Sequence, residues 1–304
     1  MNVLITGVSG CVGSRLAPRL RRDGHAVRGF SRRSEEANAG TPTVTGDAVS
    51  GEGLAEALDG IDVAYFLIHS MESSLEGSFP ARDRRAAENF ARAAQTAGTG
   101  RIIYLGGLAP TAGAASVHLR SRLEVERILL AATPCSVAFR ASIVIGADSR
   151  SFRFLVRLVE RLPVLAIPAW RDNRTAPIDE RDIVELLARA ATSDAVCGQA
   201  LDAGGPEDVT YGELIERIRD HLLLYRPALR LRRLTLTPIA SRISAVIADE
   251  DHALIGPLMA GLDGDLMPRD DRAARLLEVR LHSLDAAIER ALRELEEHEP
   301  VAVR

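Results

Sequence analysis

Three glycines, Gly7, Gly10 and Gly13, lie in Thr6-Gly7-Val8-Ser9-Gly10-Cys11-Val12-Gly13, between a short apolar run and an amphipathic stretch. At a strand-to-helix junction this spacing suits phosphate. The first glycine makes the tight turn, the second lets the backbone approach a pyrophosphate, and the third allows close helix–strand packing. The free N–H groups and partial positive charge of the helix start then face the anion. About twenty residues on, where a carboxylate would bond a ribose 2′-hydroxyl, the chain has Ser31-Arg32-Arg33. A carboxylate repels a 2′-phosphate, whereas a guanidinium pairs with it. NADP(H) is therefore expected, with Arg32 as the main contact and Arg33 second; a solvated arginine pair is the competing reading.

A second pattern could move protons. His118-x-x-x-Arg122 places both side chains on one helical face. A histidine titrates near neutrality and could protonate a carbonyl oxygen, while Arg122 could hold ribose hydroxyls. The arginine would disfavour the imidazolium, giving a stronger but scarcer acid. His69 ends an apolar run and could contact cofactor or substrate, or simply bond loop backbone. The remaining histidines have no partners at metal-ligand spacing, so no metal is expected. All 38 basic residues are arginine. That excludes Schiff-base, P-loop and lysine-assisted chemistry.

These residues need a scaffold. Apolar strands at Asn2–Thr6, Ala26–Ser31, Thr43–Thr45, Asp62–Leu67, Arg101–Leu105, Ser136–Arg140 and Ala200–Ala203 alternate with helical stretches. The helices are expected at Cys11–Arg22, Gly53–Leu58, Ala81–Ala97, Val117–Ala132, Phe152–Arg161, Asp179–Ala191, Tyr211–Leu223, Pro238–Leu262 and Leu284–Glu297, with Pro18 bending the first. The pattern is α/β: a Rossmann-type doubly wound parallel sheet with a smaller C-terminal substrate-binding cap. Residues 1–145 with 175–205 form the sheet domain, and 146–174 with 206–304 the cap. Phe152 and Trp170 are candidate substrate contacts in that cap, which suggests an apolar or aromatic small molecule. Helical spacing in the same stretch equally suits plain packing.

The 304 residues carry a formal net charge of −4, which gives no reason to expect nucleic acid or an anionic membrane as partner. No apolar run is long enough to span a bilayer and no basic-then-apolar leader opens the chain, so a cytoplasmic location is expected. Cys11, Cys135 and Cys197 are odd in number and far apart. They are expected as small buried residues, with neither disulfide nor metal.

The glycine turn, Gly46-Asp47-Ala48, Leu67-Ile68-His69-Ser70, Phe139-Arg140-Ala141, Pro177-Ile178-Asp179-Glu180-Arg181-Asp182 and Gly204-Gly205-Pro206-Glu207 resemble landmarks of the short-chain dehydrogenase/reductase superfamily, in its extended or atypical branch. Tyr65-Phe66-Leu67-Ile68-His69-Ser70-Met71, Tyr104-Leu105-Gly106-Gly107-Leu108 and His118-Leu119-Arg120-Ser121-Arg122 are similar to the NmrA-like, NAD(P)H-binding subgroup related to bacterial YbjT proteins. The resemblance implies Asp47 and Ala48 beside the adenine, and Leu67, Ile68, His69, Gly106 and Gly107 along the riboses and nicotinamide. It also implies cofactor contact for Thr6, Gly7, Ser9, Gly10, Cys11, Val12, Gly13, Ser31, Arg32, Arg33 and Arg122. A homodimer through the third and fourth expected helices is a common superfamily arrangement, so monomer and homodimer both stay open.

The chain departs from the superfamily's catalytic Ser, Tyr and Lys. Gly107 or Leu108 stands at the serine place, and His118 and Arg122 stand in the Tyr-x-x-x-Lys register. The expected function is an NADPH-dependent oxidoreductase reducing a carbonyl or enone of an apolar metabolite. A non-catalytic NADP(H)-binding redox sensor or assembly protein is the alternative, as for some NmrA-like proteins. An epimerase or dehydratase using NADP internally ranks third.

Overall fold

The computed structural model describes residues 1–32, 40–68, 79–108, 116–162, 165–167, 169–225, 228–230 and 264–299. Arg33, His69 and the helix expected at 238–262 fall outside the described residues.

Seven parallel strands among the described residues form the central sheet. They are β1 (Asn2–Thr6), β2 (Ala26–Ser31), β3 (Thr43–Thr45), β4 (Val63–Phe66), β5 (Arg101–Gly107), β6 (Val137–Ala141) and β11 (Ala200–Ala203). Their order is β11-β6-β5-β4-β1-β2-β3. Chain order reverses between β1 and its neighbours β4 and β2, so the crevice opens at the carboxyl end of β1, where open α/β sheets take ligands. β1 pairs Thr6 with Phe30 of β2 and with Phe66 of β4, which brings the three following loops to one edge.

Both sheet faces are covered, which is why the strands are continuous apolar runs rather than alternating ones. On one face α1 (Cys11–Arg22) packs beside α6 (Glu180–Ala190) over Val3, Ile5, Tyr65, Ile103 and Phe139. The Tyr65 hydroxyl donates to the Leu187 carbonyl at 2.8 Å, so this buried phenol is satisfied. On the other face α2 (Leu54–Leu58), α3 (Phe79–Ala97) and α4 (Val117–Leu130) cover Leu4, Phe66 and Tyr104, with Phe66 and Phe90 edge-to-face at 5.1 Å. The first helix runs unbroken through Pro18.

A separate core forms the cap. It joins α5 (Arg150–Arg161), α7 (Tyr211–His221) and α9 (Leu284–His298) around Phe152, Leu155, Tyr211, Ile215 and Ile288. Short strands β7 (Val144–Ile145), β8 (Leu165–Ile167), β9 (Arg174–Thr175), β10 (Ile178–Asp179), β12 (Val209–Thr210) and β13 (Ala228–Arg230) pair off around it. The short α8 (Arg272–Leu276) lies against β11, and Ala273, Leu277 and Val279 join the sheet core rather than the cap core.

The cysteine expectation is corrected. Cys135 and Cys197 are disulfide-bonded, with Cα atoms 4.3 Å apart, and only Cys11 is free. Sequence distance concealed the pair because β6 and β11 are adjacent in the sheet although far apart in the chain. Among the described residues no helix is long and apolar enough to cross a membrane.

Candidate functional site

The glycine turn has the geometry its spacing implies. Gly7 has φ +68°, a left-handed conformation that a side chain would strain. A Cβ on Gly13 would collide with the Gly7 carbonyl oxygen and the Val8 Cα, so only glycine lets α1 approach β1 this closely. Gly10 caps α1 without a side-chain bond, and no acidic residue sits in the first turn. The helix start therefore keeps its partial positive charge for an anion. Ser9 and Gly10 are exposed, Gly7, Cys11 and Val12 half-buried.

Other residues of the turn face inward. The Thr6 hydroxyl donates to the Tyr65 carbonyl and accepts from the Leu67 amide, both at 3.1 Å, stitching β1 to the loop after β4. The Cys11 thiol donates to Glu180 Oε1 at 3.0 Å. Burial pushes this thiol well above its ordinary range and the Glu180 charge adds to the effect, so Cys11 stays protonated. Its side chain points to α6.

The residues expected beside the adenosine, Arg32, Asp47 and Ala48, follow β2 and β3. Arg32 is exposed one residue beyond β2, whose Phe30 carbonyl accepts from the Gly7 amide at 3.2 Å. Among the described residues no carboxylate occupies that strand end. Asp47 is half-buried and spends Oδ1 on the Val49 amide at 2.7 Å, which shapes its own turn; Ala48 is buried. Asn89 of α3 donates to the Ala48 and Val49 carbonyls at 3.1 and 3.0 Å and holds this loop. The sequence reading missed Asn89, because a polar residue on an amphipathic helix looks like any solvated position. Leu67 and Ile68 are half-buried beside Gly7. Ser31 offers its backbone carbonyl to the Gly46 amide at 3.0 Å.

The residues expected beside the nicotinamide stand at the end of β5 and the start of α4. Gly106 and Gly107 end β5, and a Cβ on Gly106 would meet the Tyr104 ring at 2.8 Å. Ser116 caps α4 by accepting from the Leu119 amide at 3.2 Å. One turn in, His118 is half-buried and Arg122 buried. His118 Nδ1 and Arg122 Nε are both buried without a hydrogen-bond partner among the described residues. Buried polar atoms are normally satisfied, and those left open point to a missing ligand or water. Burial first, and the Arg122 charge second, lower His118 to about 4, so the imidazole is neutral at pH 7. The Tyr104 hydroxyl donates to the Arg122 carbonyl at 3.4 Å, and burial pushes the phenol up to about 12. Tyr104 thus reaches this helix from the core side and secures it. Buried Asp83 of α3 accepts from the Ser121 hydroxyl at 3.4 Å. Tyr104, Asp83 and Ser121 are the supports that sequence reading did not single out.

Phe152 is fully buried in the cap core, packed among cap side chains. Trp170 is half-buried, edge-to-face with Tyr211 at 6.2 Å, and its buried Nε1 has no partner among the described residues. A group of two cysteines and Asp194 is the one cluster of metal-type donors among the described residues, and it is far along the fold from this crevice.

The glycine turn, the open helix start and the exposed arginine fit a dinucleotide. When bound, such a cofactor supplies or accepts a hydride at its nicotinamide ring. Comparisons agree on the cofactor class. Residues 7–132 match the family model described as NAD(P)H-binding. A 3-beta-hydroxysteroid dehydrogenase of Mycolicibacterium neoaurum is 35% identical over 113 residues, 34% of this chain and 31% of that protein. The chain thus aligns with about a third of that relative's length. Among solved structures, a short-chain dehydrogenase/reductase superfamily protein from Agrobacterium tumefaciens with bound NAD has TM-score 0.73 at 17% identity, covering 98% of this chain and 99% of that one. The epimerase Mth375 from Methanothermobacter thermautotrophicus has TM-score 0.75 at 18% identity over 98% and 92%. MoeE5 in complex with UDP-glucose and NAD has TM-score 0.72 at 18% identity over 98% and 99%. At these identities the structural likenesses establish the fold.

Proposed function

We propose that this chain is a member of the short-chain dehydrogenase/reductase superfamily and an NADPH-dependent oxidoreductase that reduces a carbonyl or enone of an apolar small metabolite. Its HLRSR and YLGGL segments favour the NmrA-like subgroup related to YbjT proteins. The observation that carries the enzymatic reading is the placing of His118 Nδ1 and Arg122 Nε, two buried atoms without a hydrogen-bond partner among the described residues, one turn apart on the helix whose Leu119 side chain lies against Gly107.

The roles follow from the protonation states. Arg122 keeps its charge at any physiological pH and binds ribose hydroxyls. His118 is neutral, so it polarises the substrate oxygen by donating a hydrogen bond from its N–H, as neutral histidines do in other enzymes. The proton that completes the alcohol then comes from water. With a pKa of about 4 the imidazolium is about a thousandfold scarcer than the neutral ring at pH 7, which favours water over His118 as the proton source. Arg32 recognises the 2′-phosphate, and Trp170 offers an indole N–H and an apolar edge to the substrate.

The same histidine favours a second reading. A neutral His118 and the absence of Ser, Tyr and Lys suit a sensor that binds NADP(H) without turnover. Incubation with NADPH and a metabolite extract, read by mass spectrometry, separates the two. One compound gaining two hydrogens supports the reductase. NADPH that stays bound and unoxidised across the extract and a panel of carbonyls and quinones supports the sensor.

A further inference from the structure

At the opposite edge of the sheet, away from the glycine turn, Cys135 precedes β6 and Cys197 precedes β11. Both are half-buried, so a small thiol can reach them. Arg101, the buried first residue of β5, donates from Nη2 to Cys135 Sγ at 2.9 Å, Cys197 Sγ at 3.3 Å and Asp194 Oδ1 at 2.7 Å. Its Nη1 is fixed by the carbonyls of Ala190 and Ser193 at 2.5 and 3.0 Å. A guanidinium is thus anchored by backbone against two sulfurs, in the place a metal ion would need among these three donors.

From this arrangement we infer that Cys135 and Cys197 form a reversible dithiol–disulfide pair that exchanges with low-molecular-weight thiols and disulfides. A disulfide gains little from a neighbouring cation, whereas the thiolate released on reduction gains a charge-assisted partner. Arg101 therefore makes each sulfur a better leaving group, which speeds exchange. Opening the bond need not open the fold. The Gly198 amide still bonds the Ser136 carbonyl and the Ala138 amide the Gln199 carbonyl, both at 2.9 Å, and the β6–β11 ladder continues beyond them.

The exchange balances in two steps. A small thiolate attacks one protein sulfur, forming a mixed disulfide and releasing the other sulfur as a thiolate beside Arg101. A second small thiolate attacks the mixed disulfide, and the products are one small-molecule disulfide and two protein thiols once water has supplied the protons. Two electrons pass from the small thiols to the protein, and oxidation by a small disulfide reverses each bond change.

The test uses the full chain in glutathione buffers of graded ratio, followed by maleimide alkylation and peptide mapping. Cys135 and Cys197 are expected to become alkylated together at the reduced end and protected together at the oxidised end. A pair that resists millimolar reduced glutathione in the folded protein, or fails to re-form in oxidised glutathione, overturns the inference. Arg101→Gln is a direct variant but also removes two backbone anchors. Asp194→Asn is the safer one, because Asp194 has a side chain 91% exposed and competes for the same guanidinium nitrogen. It should shift the alkylation rate profile of the reduced protein down by about 0.5 pH unit, about threefold faster at pH 7. An unchanged or upward-shifted profile would show that Arg101 does not serve the sulfurs.

Discussion

In the proposed function Arg32 selects the cofactor and His118 faces the substrate oxygen. Arg32 stands exposed where an NAD site would need a carboxylate, a position from which its guanidinium would meet a 2′-phosphate. Charge-assisted hydrogen bonds contribute about 1.5–3 kcal/mol, so Arg32→Ala should weaken NADPH by roughly tenfold or more and leave NADH nearly unchanged. Isothermal titration with both cofactors checks this, and an equal loss for the two would remove Arg32 from phosphate recognition. His118 carries two testable consequences of its low protonation. Its pKa of about 4 means that the pH profile of kcat should show no inflection from this residue between pH 5 and 8, while His118→Gln should lower kcat by about 10²-fold. Stability follows the same shift. An unfolded histidine titrates near 6.5, so between pH 6.5 and about 4 the unfolded chain binds the proton that the folded chain refuses. His118 therefore costs stability as pH falls through that window, by about 2 kcal/mol at its lower end for a half-buried group. Urea unfolding at pH 7 and pH 4.5 should show a smaller acid loss in His118→Gln than in the parent; equal losses would mean that His118 is not desolvated.

The elements explain which of these residues could be foreseen. A strand, a glycine-rich turn and an amphipathic helix form one local unit, so β1, the turn and α1 were legible to the residue, from Asn2–Thr6 to Cys11–Arg22. The unit also yields a sharp prediction. Gly13→Ala drives a methyl into the Gly7 carbonyl, which can relieve the clash only by moving the phosphate turn. The variant should lose NADPH binding by more than tenfold and stability by about 1–3 kcal/mol, read by fluorescence titration and thermal melting. Wild-type affinity in Gly13→Ala would contradict the close approach of α1 and β1. What sequence did not reveal are contacts set by topology. Glu180 meets Cys11 only because α6 packs against α1, and Asn89 meets the Ala48 loop only because α3 lies over that end of the sheet. The Cys135–Cys197 bond likewise exists because β11 returns beside β6. For Phe152 spacing alone left two readings open, because an aromatic residue near a crevice and one in a core share the same periodicity; the structure shows its side chain buried in the cap core.

At the scale of the whole molecule the sheet domain and the cap have separate hydrophobic cores, and charge joins them. Arg290, on cap helix α9, reaches into the sheet domain. Its Nη2 lies 3.2 Å from Asp179 Oδ1 and 3.4 Å from the Ile145 carbonyl, and its Nη1 lies 2.7 Å from Glu294 and 3.8 Å from Glu180. Arg15 of α1 contributes from the other side, 2.8 Å from Glu294 and 3.7 Å from Glu180. The carboxylates of Asp179 and Glu180 are almost wholly buried, so each needs its cation. Burial alone would raise Asp179, yet the hydrogen bonds from Arg181 and the charge of Arg290 outweigh it and hold the carboxyl below its ordinary value. Asp179 therefore stabilises the fold above the usual carboxylate pKa, and that stabilisation is lost as pH falls through its depressed value. Removing one partner of a buried pair strands the other charge, a larger loss than the pair itself contributes. Arg290→Met keeps the apolar stem and deletes the charge, and should cost about 3 kcal/mol. Because the pair is shielded from ions, the loss should persist at high salt, unlike that of an exposed bridge such as Arg293–Glu289. The deficit should also shrink in acid, where Asp179 and Glu180 protonate and no longer need the guanidinium. Denaturant unfolding of parent and Arg290→Met at neutral and acid pH, each at low and high salt, reads all three expectations. A deficit that vanishes with salt, or one that is independent of pH, would place Arg290 on the solvated surface and leave the two cores to be held together by packing alone.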